Sequence, residues 1–431
     1  MQPSTTPSTA DPSLPRSVDQ PLPAALAGIR VLELAGPAGQ YCGKMFADLG
    51  ADVILIEPPG GAHTRRERPF LRDQIHRETG LPFTYFNTGK RSVVLNLSAP
   101  EGRMIFRKLA EHSSLIIDTE KPGMMAPLGL DFGSLSADSP GLIMTSITPF
   151  GQTGPYAQWE CDDIVALALG GLLSLGGYPE TEPMAPYGNQ AYLAAGQFAA
   201  VASLIALLGN EQAGNNAYPR HIDVSIQECV VLALENAVQF YDLEHTIRKR
   251  EAGRQKLAGM GIFPCADGHV YLMAGGIASS NFWANTVQWL EDERVPGADQ
   301  LKRVCWDDQD FLATEEAKGQ FQKLFGPFAL SRTKSYLYEA GQSRRIPICP
   351  VNSPKDLVHN RQLQHRNYFT AITHSSGEIL TGPGAPYRLA ATPWRLAGPS
   401  PTLGQHTAEI LGELGFDRES QTAFFACGAV G

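Results

Sequence analysis

The sequence predicts an α/β fold built on an open parallel sheet, and three features of the chain carry that prediction. Residues 29–57 read as a strand, a Gly-containing turn, a helix and a second strand, a unit whose short connections make its two strands parallel. Strand-like and helix-like periodicities then alternate as far as residue 148. Beyond it the chain turns to Ala- and Leu-rich segments, so helices follow the sheet.

Taken in order, IRVLEL (29–34) is a short apolar strand, AGPAGQ (35–40) a turn, YCGKMFADLG (41–50) a helix stopped by Gly50, and DVILIE (52–57) the second strand. RSVVLNL (91–97), SLIIDT (114–119) and GLIMTSIT (141–148) follow as strands, and PEGRMIFRKLAEH (100–112) as a helix opened by proline. DDIVALALGGLLSLGG (162–177) and AYLAAGQFAAVASLIALLG (191–209) predict two closely packed helices. The second is expected to be buried, because it falls short of the ~20 apolar residues of a membrane span and holds Gln197 and Ser203. HIDVSIQECVVLALENAVQFY (221–241) opens as a strand and continues as one long helix, and FPCADGHVYLMAG (263–275) predicts a hairpin turning at Asp267 and Gly268.

This pattern divides the chain into a disordered tail (1–24), rich in Pro, Ser and Thr, a large domain (25–220), a linker helix (221–250), a smaller α+β domain (251–335), and a linker returning to the large domain (336–431). With 431 residues, 43% hydrophobic and 18% charged, the chain has material for two globular cores. A net charge of −9 supplies no basic field for nucleic acid or an anionic membrane, so neither is expected as a partner. The seven cysteines include no C-x-x-C pair and their number is odd, which argues against a disulfide framework or a zinc site and for a cytoplasmic location. No metal is expected: the ten histidines have no ligand spacing.

The AGPAGQ turn stands where an open α/β sheet binds ligands, at a strand's C-terminal end facing a helix N-terminus. Glu57 follows Gly36 at the distance of a dinucleotide fingerprint, yet Ala38 and Tyr41 occupy positions where that fingerprint needs glycine, so a nicotinamide or flavin enzyme is poorly supported. Cations that could meet an anionic ligand are Arg65, Arg66 and Arg68, beside His63, and Lys90 with Arg91. Asp162 and Asp163 open an apolar helix, a position suited to capping. There is no H-E-x-x-H, G-x-S-x-G or P-loop pattern.

The ordered set of segments resembles family III CoA-transferases: LAGIRVLELAGPAGQYCGKMFADLGADVILIEPPGG, YFNTGKRSVVLNLSAPEG, SITPFGQTGPYAQWECDDIVALALGG, HIDVSIQE, RRIPICPVNSPKDLVHNRQLQHRNYF and PSPTLGQHTAEILGELG. The resemblance implies a Rossmann-like large domain assembled from both chain ends, a smaller domain between them, and two subunits threaded into an interlocked dimer. It implies a coenzyme A thioester as substrate and no permanently bound cofactor. By correspondence Pro37, Ala38 and Gln40 lie beneath the thioester, Arg65 or Arg66, Lys90, Arg91 and Lys121 contact CoA, and Phe150 and Tyr192 face the substrate.

Family members attack the thioester with an aspartate four residues before a glycine, which here is Gly196. Tyr192 therefore stands at the nucleophile position, Asn189 is the nearest isostere, and PMAPYGNQAYLAAGQFAA contains no carboxylate. An amide or phenol cannot form the anhydride and thioester intermediates of this chemistry. The CoA loop also departs, reading Thr119-Glu120-Lys121-Pro122-Gly123 with Pro127 in place of an arginine. These features point to the subunit without the nucleophile in a heteromeric CoA-transferase, acting on an acyl-CoA and a carboxylic acid beside a homologous catalytic subunit. The alternatives are a self-sufficient acyl-CoA transferase, racemase or lyase using Asp162, Asp163 or Glu182, or an acyl-CoA-binding regulator. Phe83, Tyr85, Phe86 and Tyr156 add aromatic character compatible with a bulky acid.

Overall fold

Strands that are apolar on both faces are stable only when covered on both, and residues 30–148 are organised around that requirement. The computed structural model describes residues 24–250, 255–275 and 281–431; the tail expected over 1–24 lies, but for Ala24, outside them, as does part of the basic stretch after residue 246. Strands β1 (Arg30–Leu34), β2 (Asp52–Glu57), β3 (Arg91–Val94), β4 (Leu115–Asp118), β5 (Ile143–Thr148) and β6 (Arg220–Ser225) form one sheet in the order β3-β2-β1-β4-β5-β6. The β3/β2, β2/β1, β1/β4 and β4/β5 pairs are parallel, which is the doubly wound order expected of a Rossmann-like domain. Helix α1 (Gln40–Asp48) crosses from β1 to β2, α2 (Leu81–Phe86) precedes β3, α3 (Pro100–Glu111) crosses from β3 to β4, and α4 (Phe132–Ser136) precedes β5. On one face Leu32, Ile54, Val93, Ile116 and Met144 meet Ile105, Phe106 and Leu109 of α3, all at or near zero exposure.

The first of two C-terminal helices, Thr407–Glu413, enters the same core through Ile410 and Leu411, and Val430 makes an antiparallel bridge to Leu95. The large domain is thus built from both ends of the chain. Met1–Ile147, Ala199–Asp223 and Ala371–Gly431 form one unit; Thr148–Phe198 and Val224–Thr370 form the other. The second unit exceeds the module expected at 251–335. Its hairpin β7 (Met260–Cys265) and β8 (Gly268–Met273) turns where the sequence indicated, but a third strand, β9 (Ile348–Val351), pairs with β8, so the chain leaves this unit only at Thr370 rather than at 335. Its core holds Trp289, Phe263, Phe321 and Phe325.

Two helical expectations are corrected. The long helix after β6 is two, α8 (Ile226–Leu232) and α9 (Ala237–Glu244), because Glu235 takes a left-handed φ of 51°, which breaks the hydrogen-bond ladder. Between β5 and β6 lie α5 (Asp163–Leu169), α6 (Leu172–Leu175) and α7 (Gln190–Ala213). Helix α7 has 24 residues, is long and apolar enough to cross a membrane by length and composition, and is only 39% buried over its most apolar window. It was expected shorter and buried. Its small residues, Ala199, Ala200 and Ser203, face inward, where Ser203 Oγ lies 2.7 Å from Thr145 Oγ1 of β5. Val201, Ile205 and Leu208 of the same unit are 52%, 65% and 54% exposed, a one-sided apolar stripe.

A fully buried ion pair holds α1 against β1. Lys90 Nζ donates to both Glu33 oxygens at 2.6 and 2.9 Å, to the Gln40 carbonyl at 3.0 Å and to Asn87 Oδ1 at 2.9 Å. Burial pushes the Glu33 carboxyl upward, and the Lys90 ammonium opposes it. The pair fits only because position 43 has no side chain: a Cβ on Gly43 would stand 1.6 Å from Glu33 Oε2.

Lys90→Met, which strands Glu33 without a cation, is expected to cost about 3–5 kcal/mol in urea unfolding. Lys90→Met combined with Glu33→Leu should recover most of that loss, because no buried charge then remains unpaired. Equal destabilisation in the single and double variants would contradict this description of the pair.

Candidate active site

An open α/β sheet leaves a crevice where its strand order reverses, and here that point lies between β1 and β4. A cleft of about 380 Å³ opens there, lined by Leu34 at the end of β1 and Ala35 after it, His63 after β2, Asn96 after β3, and Glu120 and Met124 after β4. Its volume suits a nucleoside-sized group. The wall between β1 and β4 depends on glycine. A Cβ on Gly36 would come within 2.0 Å of Thr119 Oγ1, and one on Gly39 within 2.9 Å of Thr119 Cγ2. The AGPAGQ turn therefore rests directly on the first residue of the expected CoA loop. Pro37 is half-buried on this turn, Ala38 is buried, and the buried Gln40 accepts a hydrogen bond from Asn87 at 3.0 Å.

The cations read from the sequence divide into two groups. Arg65 is 1% exposed and donates to Glu57 at 2.6 and 2.7 Å, to Glu78 at 2.7 Å and to the Pro401 carbonyl at 3.1 Å. Lys90 is committed to Glu33, and Arg91 chelates Asp52 at 2.7 and 2.8 Å while reaching Glu409 and Glu413 of the helix Thr407–Glu413. Expected to contact a ligand, these three each bond carboxylates that tie strands and chain ends together, as charge-assisted bonds to buried or half-buried carboxylates do. Arg66 is exposed in the short 3-10 turn His63–Arg66, and half-buried Lys121 follows the cleft-lining Glu120. Glu57 is also committed: besides Arg65 it accepts from Ser92 Oγ at 2.5 Å and Ala62 N–H at 3.0 Å, so it is not free to hold a ribose.

The second unit holds the expected nucleophile position. Tyr192 lies in the first turn of α7; its N–H donates to Asp163 Oδ1 at 3.0 Å and its hydroxyl reaches the Cys161 carbonyl at 3.4 Å. The Asp163 carboxylate receives N–H bonds from Gln190, Ala191 and Tyr192. Burial raises its pKa and these bonds pull it down. Asp163 thus caps α7, a helix that begins 27 residues after it, while Asp162 at the start of α5 makes no side-chain cap and is exposed. Asn189 and Glu182 are exposed in the loop before α7. Phe150 is half-buried and meets Tyr156 edge-on at 5.9 Å, and Tyr156 stacks on Trp159 at 4.1 Å. Sequence reading overlooked Trp159, Met124 and Asn96, whose residue types carry no chemical signature by themselves.

A doubly wound sheet with its cleft at the switch point defines a nucleotide-type binding domain. The chain belongs to CoA-transferase family III, whose profile matches residues 26–407. It is a CoA-transferase, and an acyl-CoA thioester is its substrate class. It is 39% identical over 389 residues to the succinyl-CoA:(R)-benzylsuccinate CoA-transferase subunit BbsE of Thauera aromatica, covering 90% of this chain and 93% of that one. It is 32% identical to the succinate–glutarate CoA-transferase of Agrobacterium fabrum, over 90% and 95% of the two chains. The alpha subunit of succinyl-CoA–L-malate CoA-transferase from Chloroflexus aurantiacus is 31% identical, over 95% and 92%. Among solved structures, a CAIB/BAIF family protein from Brucella suis superposes with a TM-score of 0.78 at 27% identity, covering 90% of this chain and 98% of that one.

Because Asp163 acts as a cap, Asp163→Ala is expected to lower unfolding stability by about 1–2 kcal/mol, and Asp163→Asn by less than half of that, since the amide oxygen still accepts. Chemical denaturation of the two variants tests this; an Asn variant as unstable as the Ala variant would remove the capping role.

Proposed function

We propose that this chain is the subunit without the nucleophilic aspartate in a heteromeric enzyme that moves CoA from a donor such as succinyl-CoA to a carboxylic acid of the benzylsuccinate type. The observation that carries this reading is the start of α7. By the family resemblance Tyr192 corresponds to the nucleophile position, and the buried carboxylate beside it, Asp163, is spent on three backbone N–H groups. The similarity to BbsE, a subunit by name, agrees with it.

In this reading the switch-point cleft receives the adenosine end of CoA, with Arg66 and Lys121 as the cations nearest its phosphates and Pro37 and Ala38 beneath the thioester. The homologous partner supplies an aspartate. Its carboxylate attacks the donor carbonyl, forming a mixed anhydride and releasing CoA thiolate. The thiolate attacks the aspartyl carbonyl, freeing the donor acid and leaving an aspartyl thioester. The acceptor acid and then the thiolate repeat these steps in reverse order of bond formation, which yields acceptor-CoA and regenerates the carboxylate. No permanently bound cofactor takes part, and the assembly acts in the cytoplasm. The aromatic set of Phe150, Tyr156 and Tyr192 would offer a face to an aryl acid.

The apolar stripe of α7, with Val201, Ile205 and Leu208 each more than half exposed on one face, agrees with assembly as an interlocked pair. Purified alone, the chain is expected to show no succinyl-CoA to benzylsuccinate exchange by liquid chromatography, and to gain it when mixed or co-expressed with an aspartate-bearing homologue. Full exchange by the lone chain would refute the proposal and favour the exposed Asp162 as a nucleophile of its own. Ile205→Asp should abolish association in size-exclusion chromatography while circular dichroism stays unchanged, because the substitution lies on an exposed face.

A further inference from the structure

Asp118 ends β4 with its side chain 8% exposed, and among the described residues no cation faces it. Its Oδ1 accepts the Glu120 N–H at 2.9 Å. Its Oδ2 stands 3.4 Å from Ser146 Oγ on β5, and that hydroxyl lies 2.9 Å from His221 Nε2 on β6. Ser146 is 1% exposed, whereas His221 is exposed, its ring stacked on Phe132 of α4 at 5.1 Å and 17°. A buried carboxylate is therefore joined to solvent through one hydroxyl and one imidazole. Ion pairing accounts for none of the three, and the turn bond to Glu120 and the stacking on Phe132 do not require them to be joined to one another.

We propose that Asp118, Ser146 and His221 form a proton relay that positions the loop after β4, the segment from Thr119 that walls the cleft. The proposal rests on the reading of that cleft as the CoA site for its effect on substrate, but not for the relay itself. A serine hydroxyl has one proton and can donate to only one neighbour, so the chain of bonds has two directions. In the first, His221 Nε2–H donates to Ser146 Oγ, which donates to an ionised Asp118. In the second, a protonated Asp118 donates to Ser146, which donates to an unprotonated Nε2. Passing between them, His221 Nδ1 takes a proton from solvent, Nε2 gives its proton to Ser146 Oγ, and Ser146 passes its own to Asp118. The imidazole ends neutral in the opposite tautomer, and only Asp118 has changed charge.

The change matters because the Asp118–Glu120 bond is charge-assisted in one state and neutral in the other, a weaker bond. Thr119, between them, is the residue on which Gly36 rests, so the grip on Glu120 N–H fixes both walls of the β1/β4 switch point. Asp118 is faced by Glu120 of its own loop and Ser146 of β5; His221 is faced by Asp223 of β6, while α4 presents the uncharged Phe132. Burial pushes the Asp118 carboxyl up to about 6, with the Glu120 charge adding and the N–H and Ser146 bonds opposing, and burial lowers His221. The carboxylate thus dominates above pH about 6 and is lost as pH falls through it, so the loop is held firmly on the alkaline side.

The test is ¹⁵N-histidine NMR and amide hydrogen exchange on the full chain from pH 5 to 8. In the wild type the His221 ring is expected to pass from the Nε2–H to the Nδ1–H tautomer as pH falls through about 6. The Glu120 amide, corrected for intrinsic rate, should lose about tenfold in protection, as for one hydrogen bond weakened by roughly 1.4 kcal/mol. In D118N and in S146A the tautomer change should vanish, and in D118N the Glu120 protection should be low and flat with pH. A tautomer change that persists in both variants, or a Glu120 amide indifferent to pH in the wild type, overturns the proposal. The CoA reading is separated by adding CoA at pH 8: protection of Ala35 and Glu120 supports it. If CoA leaves them unprotected, the cleft assignment and the relay's effect on substrate both fail, while the tautomer data still decide the relay.

Discussion

The active half of this fold depends on one buried ion pair that exists because a glycine gives it room. Glu33 and Lys90 sit at zero side-chain exposure under α1, and any side chain at position 43 would occupy the space of the carboxylate. Lys90 also takes the Gln40 carbonyl, so the same ammonium fixes the start of α1, the residue that closes the AGPAGQ turn. A buried pair of this kind contributes little net stability and much geometric definition. The turn is thereby pressed onto Thr119, where two more glycines permit the approach, and the cleft at the switch point takes its shape from these contacts.

Charge is distributed to the same end. The chain carries nine more acidic than basic side chains, yet its ligand class is anionic. Three cations near the sheet, Arg65, Lys90 and Arg91, each close an internal carboxylate set, and Arg91 ties β2 and β3 to the helix Thr407–Glu413. The cleft at the switch point is lined largely by apolar residues. Such a site gains specificity from shape and backbone approach more than from net field.

Most of the central strands were legible in the sequence because they are short apolar runs, and the parallel pairing of β1 and β2 followed from the short β-α-β connection, whereas the strand order was not encoded locally. Helix α7 was legible as a helix and not in its burial, because large apolar residues lie on one face and small residues, Ala199, Ala200 and Ser203, on the other, and composition cannot say which side meets the sheet. The extent of the second unit was hidden because β9 joins β8 from 75 residues beyond it, a pairing no local pattern encodes. Arginines and lysines in family motifs suggested ligand contacts; their partners, Glu57, Glu33 and Glu413, lie at sequence separations that only the fold brings together. The same holds for Asp163, whose capped helix begins far downstream, and for Asp118, Ser146 and His221, which occupy three different strands.

The proposed vacancy at the nucleophile position is the point on which the account stands, and covalent trapping addresses it most directly. The proposed two-subunit enzyme, incubated with succinyl-CoA and hydroxylamine and then digested, can be read by peptide mass spectrometry for a carboxylate converted to its hydroxamate. The account predicts a modified aspartate in the partner subunit and none in this chain. A hydroxamate at Asp162, Asp163 or Glu182 of this chain would contradict it.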